Sequence, residues 1–163
     1  MARSELDRVV QASLLDRLTD ESPADRTDQS LTREASTRIF RASVQRDVEA
    51  LLNTRRTIVR PTEHQTHVSR SVHQFGLPDM TSYSLSAVDG RERLREAILD
   101  TLKRFEPRLT DLQVQLADQA SGHVSQLRFS IAATLLMDPS PEHVVFDTVL
   151  DVATGAYDVD DRS

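Results

Sequence analysis

The stretch LKRFEPRLTDLQVQL, residues 102–116, changes its period in the middle. Up to Phe105, the apolar residues Leu94, Ala97, Ile98, Leu102 and Phe105 recur at helical spacing, which predicts one buried helix face. Beyond it, Leu112, Val114 and Leu116 alternate with Gln113 and Gln115, the pattern of a half-buried strand. Between the two lies Glu106-Pro107-Arg108. Proline has no N–H to donate and biases the residue before it away from helical geometry, so the helix must stop and the chain must leave extended. A helix that feeds a strand through a rigid corner excludes an all-helical or an all-strand chain.

The flanking segments extend the same division. Phe40, Val44, Val48, Leu51 and Leu52 form one stripe of a longer helix. Ser36 is its expected N-cap and Asn53 its expected end, where the following arginines would meet the negative pole of the helix. The helix before the corner is expected to begin near Asp89, with Glu92 at capping-box spacing. At the N-terminus, Leu6, Val10, Leu14 and Leu18, with Val9 and Leu15 beside them, predict a short amphipathic helix over residues 4–18. The polar run TDESPADRTDQSLTRE that follows reads as a linker, and the helix could dock on its own domain or on a partner.

Residues 57–88 lack periodicity but contain Gly76-Leu77-Pro78-Asp79, a structural turn. Gly76 permits positive φ, Pro78 fixes its own φ, and Asp79 can bond its own backbone. A short helical turn is expected before it and an ordered loop after it. Further on, Leu127, Phe129, Ile131, Ala133 and Leu135 predict a second strand, and VVFDTVLDVATGAYDV reads as one last strand covered on both faces over part of its length. SGHVS and DPSPEH are the expected connections. The expected fold is α+β, helices followed by a three-stranded antiparallel meander. Its layout is an N-terminal helix and linker at 1–35, a domain at 36–159 and a tail at 160–163. Such a sheet has two edges, each a template for pairing unless blocked, and Asp147 and Asp151 could serve as blocking charges or face a basic partner.

Composition narrows the chemistry. The chain has 163 residues and no cysteine, so disulfides, thiol catalysis and cysteine-bound metals are out. It has no Trp and only 4% aromatic residues, against a stacked sugar or base platform. A net charge of −6 argues against general nucleic-acid affinity. No apolar run approaches the ~20 residues that cross a bilayer, and MARSELDRVVQASLLDRL lacks a signal-peptide core, so a soluble cytoplasmic protein without membrane insertion is expected. Charge is uneven: Arg38, Arg41, Arg46, Arg55 and Arg56 crowd one region, while Asp147, Asp151, Asp158, Asp160 and Asp161 crowd the C-terminal end. Lys103 is the single lysine, and arginine favours forked, weakly hydrated contacts of the kind found at interfaces.

A glycosidase needs two carboxyls facing a cleft, roughly 5–9 Å apart. Glu106 could be one, with Asp111 or Asp118 as the other, but Arg108 is placed to pair with Glu106 as a carboxylate, which suits a latch better than a proton donor. Glu63, His64 and His67 have metal-like spacing without a further ligand, and His73, His123 and His143 form no constellation. With 4 glycines there is no phosphate-binding loop, and no serine sits in a nucleophile-elbow context. No catalytic residue, metal or cofactor is therefore assigned. The corner, the turn, the arginine-rich helix and the sheet edges suit a part of an assembly.

Several segments recur in order in a known family: SLLDRL at 13–18, RDVEALLNTRR at 46–56, SVHQFGLPD at 71–79, FEPRL at 105–109 and PEHVVFDTVLDVATGAYDV at 141–159. Together they resemble the gene-25-like TssE family of type VI secretion baseplate subunits, related to a baseplate wedge protein of contractile phage tails. Val48 stands where Leu is usual, and His73-Gln74-Phe75 replaces a commoner Leu-Asn-Tyr. The resemblance implies a non-enzymatic structural part that joins the wedge through TssF and TssG, with TssK as a further candidate. It also implies that the part templates the contractile sheath, TssB and TssC, by strand pairing. Its signature maps to Glu106, Pro107 and Arg108, the implied partner-binding residues. An old lysozyme-like label in the family supplies the alternative, a peptidoglycan-cleaving enzyme using Glu106.

Overall fold

The computed structural model describes residues 9–19, 32–59, 61–80, 84–85, 87–116 and 126–162. Its elements are α1 (Leu14–Leu18), α2 (Arg33–Asn53), α3 (Thr66–Ser69), a 3-10 turn (Val72–Gln74), α4 (Val88–Phe105), β1 (Leu109–Leu116), β2 (Gln126–Leu135), β3 (Glu142–Asp151) and β4 (Tyr157–Asp161).

The sheet has four strands in the order β1-β2-β3-β4, every neighbouring pair antiparallel. The expected meander is thus present with one strand more than the sequence reading allowed. The segment read as a single last strand is two, separated by a tight reversal. There Asp151 accepts from Ala153 N at 2.8 Å and from Thr154 N at 2.9 Å, and Gly155 takes a φ of 72°. Asp151 is therefore a turn-former, and these bonds hold its carboxyl below the usual carboxylate range. Asp147 lies on β3, an interior strand, so neither acid guards an edge.

One face of the sheet carries the core. Leu127, Phe129, Ile131, Ala133 and Leu135 of β2 are buried with Val144, Phe146 and Leu150 of β3 and Tyr157 and Val159 of β4. Val145, Asp147 and Val149, of the other parity, are only half-buried, so the expected two-sided cover of the last strand is replaced by a single covered face. An antiparallel sheet tolerates this, since one face can meet water. α2 lies against β4 and α4 against β1, roofing the core with Phe40, Val44, Val48, Leu51 and Leu52 from the first and Leu94, Ile98 and Leu102 from the second. At roughly 2–3 kcal/mol for each fully buried large apolar side chain, this layer supplies the main drive to fold.

Helix boundaries differ from expectation for local reasons. α2 begins three residues before Ser36 because the hydroxyl of Thr32 accepts from Ala35 N at 3.3 Å and caps it. Ser36 is buried inside the helix, donating to Arg33 O at 2.7 Å and accepting from Val10 N at 3.0 Å. α4 has no side-chain cap, and Glu92 pairs with Arg95 at 2.9 Å rather than reaching back to Asp89. The predicted helix over 4–18 is confined to α1 within the described residues; residues 9–13 are not helical and 1–8 lie outside them. Buried Val10 and the Ser36 bond fasten this segment to its own domain.

Candidate functional site: the acid-proline-arginine corner

The corner begins where α4 runs out. Glu106 N still bonds Leu102 O at 2.9 Å, Leu109 N bonds Glu106 O at 3.2 Å, and Leu136 N bonds Arg108 O at 2.8 Å. The first two bonds close the turn that Pro107 enforces, and the third ties it to the end of β2. Glu106 is 4% exposed, whereas Pro107 lies on the surface.

The side chains of Glu106 and Arg108 form a fork. Arg108 Nε donates to Glu106 Oε1 and Arg108 Nη2 to Glu106 Oε2, each at 2.5 Å, and the Arg108 amide leans on Oε1 at 3.4 Å. Nη2 also donates to Asp47 Oδ2 on α2 at 2.7 Å, and the guanidinium lies 6.0 Å from the centre of the Phe40 ring. Two carboxylates and an aromatic face hold one cation, so its proton affinity is raised, first through the Glu106 bonds and then, against the cost of burial, through Asp47. Asp47 continues the ladder: Arg46 lies 3.5 Å from it and also pairs with Asp16 of α1. Asp16 is drawn down to about 2, chiefly by the Ser13 hydroxyl, with the Arg46 bond adding to it. One chain of charge thus joins the corner, α2 and the N-terminal segment.

This geometry has a chemical consequence. Both Glu106 oxygens are occupied as acceptors, and the second acid, Asp47, is bound to the same guanidinium. A general acid must present a proton to a bond in a cleft, whereas this pair clamps a cation inside the protein. Asp111, one of the carboxylates weighed as a partner, sits exposed in a β-bulge of β1 with a φ of 51°; Asp118 lies outside the described residues. His64 and His67 are exposed, and among the described residues no three His, Asp or Glu side chains gather as metal ligands.

The Gly76 turn is a second fixed point. Gly76 has a φ of 98°, and a Cβ there would stand 2.1 Å from Thr54 O. Leu77 N bonds Thr54 O and Arg56 N bonds Leu77 O, both at 2.8 Å, so the turn is stitched to the end of α2. The expected helical turn precedes it, with buried Gln74 donating to Val59 O at 3.2 Å. Phe75 packs edge-on to Phe105 at 5.4 Å, linking the turn to the last residue of α4. Pro78 is half-buried and Asp79 exposed; of the loop that follows, residues 81–83 and 86 lie outside the described residues.

The two sheet edges are unlike. On β4, Asn53 of α2 donates to Tyr157 O at 2.8 Å and accepts from Tyr157 N at 2.9 Å, while Gln45 donates to Val159 O at 2.6 Å. Arg41 closes the end of the same strand by pairing with Asp161 at 2.8 Å. Phe40 was expected only in the buried stripe and Asn53 only as the helix end, and the roles of Asp47, Phe40, Asn53 and Gln45 at the corner and along β4 were not readable from the sequence. Their partners lie far along the chain, 61 residues away for Asp47–Arg108 and 104 for Asn53–Tyr157, and no spacing rule reaches that distance.

Among the described residues, no helix is long and apolar enough to cross a membrane. Comparison with known proteins found no match among curated proteins and none among solved structures. A family model, that of the baseplate wedge protein gp25, matches residues 38–140, a span running from α2 through the Gly76 turn, α4 and the corner to the end of β2. With more than half of its length matched, the chain belongs to the gp25 family of structural baseplate wedge proteins.

Proposed function

We propose that this chain is the TssE-type subunit of a type VI secretion baseplate, a non-enzymatic cytoplasmic part that links the wedge to the contractile sheath and templates its assembly. The observation that supports the structural reading is the Glu106–Arg108–Asp47 clamp, in which the acid and arginine that the resemblance implies as a signature tie α4, β1 and α2 together. In this reading the corner meets its partner through exposed Pro107 and the open side of Arg108, while Glu106 serves from behind by holding the guanidinium in place. The wedge subunits TssF and TssG, with TssK, are the proposed partners on one side, and the sheath proteins TssB and TssC on the other.

Co-purification of the tagged full chain with its wedge subunits tests this. Wild type should retain them, and Pro107→Ala with Arg108→Gln should lose them at least tenfold while remaining folded by circular dichroism. Retention by that double variant would remove the corner from the interface. The muramidase alternative predicts clearing of a peptidoglycan zymogram that disappears in Glu106→Gln, and such clearing would overturn the non-enzymatic reading.

A further inference from the structure

We infer that the groove between the end of α3 and the last turns of α4 is a docking site for a short acidic segment of a protein partner. It shares no residue with the corner and adds a second contact surface to the molecule. A cavity of about 490 Å³ opens there, lined by Ser69, Arg70, Asp100, Lys103 and Arg104.

The charged side chains divide into one that is held and two that are not. Asp100, Lys103 and Arg104 stand three and four residues apart on α4, so one face of its last turns carries all three. Asp100 takes up Arg104 at 2.9 Å, and Arg104 Nη1 leans on Ser69 O at 3.5 Å, which ties the two banks of the groove together. Arg70 and Lys103 are exposed on those banks, and among the described residues no hydrogen bond or ion pair engages either side chain. The negative pole of α4 accounts for cations at Lys103 and Arg104. It does not account for Arg70, which comes from the C-cap of α3, a helix of a single turn with little dipole to offer.

These groups specify the partner. Three cations against one acid give the groove a local excess of positive charge on a chain whose net charge is −6. With Arg104 held by Asp100, Arg70 and Lys103 stay available, and together they fit two carboxylates on one extended segment. No apolar or aromatic side chain lines the cavity, so the partner contributes charge rather than bulk, and no ring is present to stack a base. A long polyanion is repelled by the remainder of an acidic chain, whereas a short acidic segment meets the groove alone. Exposed contacts of this kind speed encounter and weaken with salt.

Titration of the isotope-labelled full chain with a hexaglutamate peptide, followed by NMR, tests this. Saturable shifts are expected at the amides of Ser69, Arg70, Lys103 and Arg104, with affinity falling several-fold between low and physiological salt. Arg70→Glu with Lys103→Glu should weaken binding at least tenfold while the chain stays folded by circular dichroism. Arg17→Glu with Arg128→Glu makes the same change in net charge at exposed positions outside the groove, and should bind within about twofold of wild type. Equal loss in both double variants would trace the effect to net charge and overturn the inference, as would shifts scattered over the surface or no shift at these residues. Tighter binding of a hexanucleotide RNA than of the peptide would assign the groove to nucleic acid and contradict it. Displacement of the peptide by an equal concentration of inorganic phosphate would make the groove a small-anion site, against the inference. The titration uses the chain alone, so its outcome is independent of the role proposed at the sheath.

Discussion

Arg108 is the residue on which the corner depends. Its partner Glu106 is buried and, among the described residues, pairs with no other cation, so truncating either one leaves a charge in a poorly solvated place. Glu106→Ala should cost about 3 kcal/mol of stability by chemical denaturation, at the lower end for a broken buried pair because Arg108 keeps some solvent. Asp47 is more open, at 38% side-chain exposure, and its coupling to Arg108 in a double-mutant cycle should stay below about 1 kcal/mol. A larger coupling for Asp47 than for Glu106 would reverse this ranking. Gly76 is constrained differently: Gly76→Ala combines positive φ with a contact at 2.1 Å to a backbone oxygen. It should cost at least about 2 kcal/mol, read from the same denaturation curves, and Thr54 cannot yield without releasing Leu77 N. At this scale the sequence was informative where the cause is local. The proline stop and the glycine turn were readable because each residue restricts its own backbone, whereas the roles of Asp47 and Phe40 exist only once α2 lies across the corner.

Among the elements, β4 is the least expected and the most explicitly held. Its core-facing residues, Tyr157 and Val159, are of odd number where those of β3 are even, but apolar residues at both parities of VVFDTVLDVATGAYDV hide the switch, and the clearest sequence signal for the reversal was the glycine whose φ is 72°. The bulge in β1 is similarly silent: it lets Leu109 and Val114, of opposite parity, both face the core. α2, α4 and the parity of β2 were legible because period and burial agree along their length, whereas the leucines of α1 are periodic but exposed. Asn53→Ala removes both amide bonds from β4 and should destabilise the protein by about 2 kcal/mol, with exchange at the Tyr157 amide at least tenfold faster. Unchanged exchange there would mean that the α2 amides do not close this edge. Tyr157 itself gives β4 a pH signature. Burial pushes its hydroxyl up to about 12, so the unfolded chain releases this proton near pH 10 while the folded chain keeps it. Stability should be unaffected below pH 10 and fall between pH 10 and 12, by roughly 2–3 kcal/mol at the upper end. Denaturation across that range, with tyrosinate absorbance in a Tyr83→Phe background, checks it; ionisation of Tyr157 near pH 10 would contradict it.

For the whole molecule, the arrangement is a four-stranded sheet with one face roofed by two helices, one edge bonded by side chains of α2, and the β1 edge open among the described residues. The corner fixes the helix beside the open edge, and the charge ladder through Asp47, Arg46 and Asp16 draws the N-terminal segment onto the same frame. Such a body holds its surfaces at set angles, which is what an assembly part requires. The most direct measurement is sheath assembly in cells deleted for this gene, followed with a fluorescent sheath subunit. Assembled sheaths should be absent, be restored by the wild-type chain, and stay absent when Pro107→Ala with Arg108→Gln is supplied at equal protein level. Sheaths that form without the chain, or that the double variant restores in full, would contradict the proposed role as the structural link between wedge and sheath.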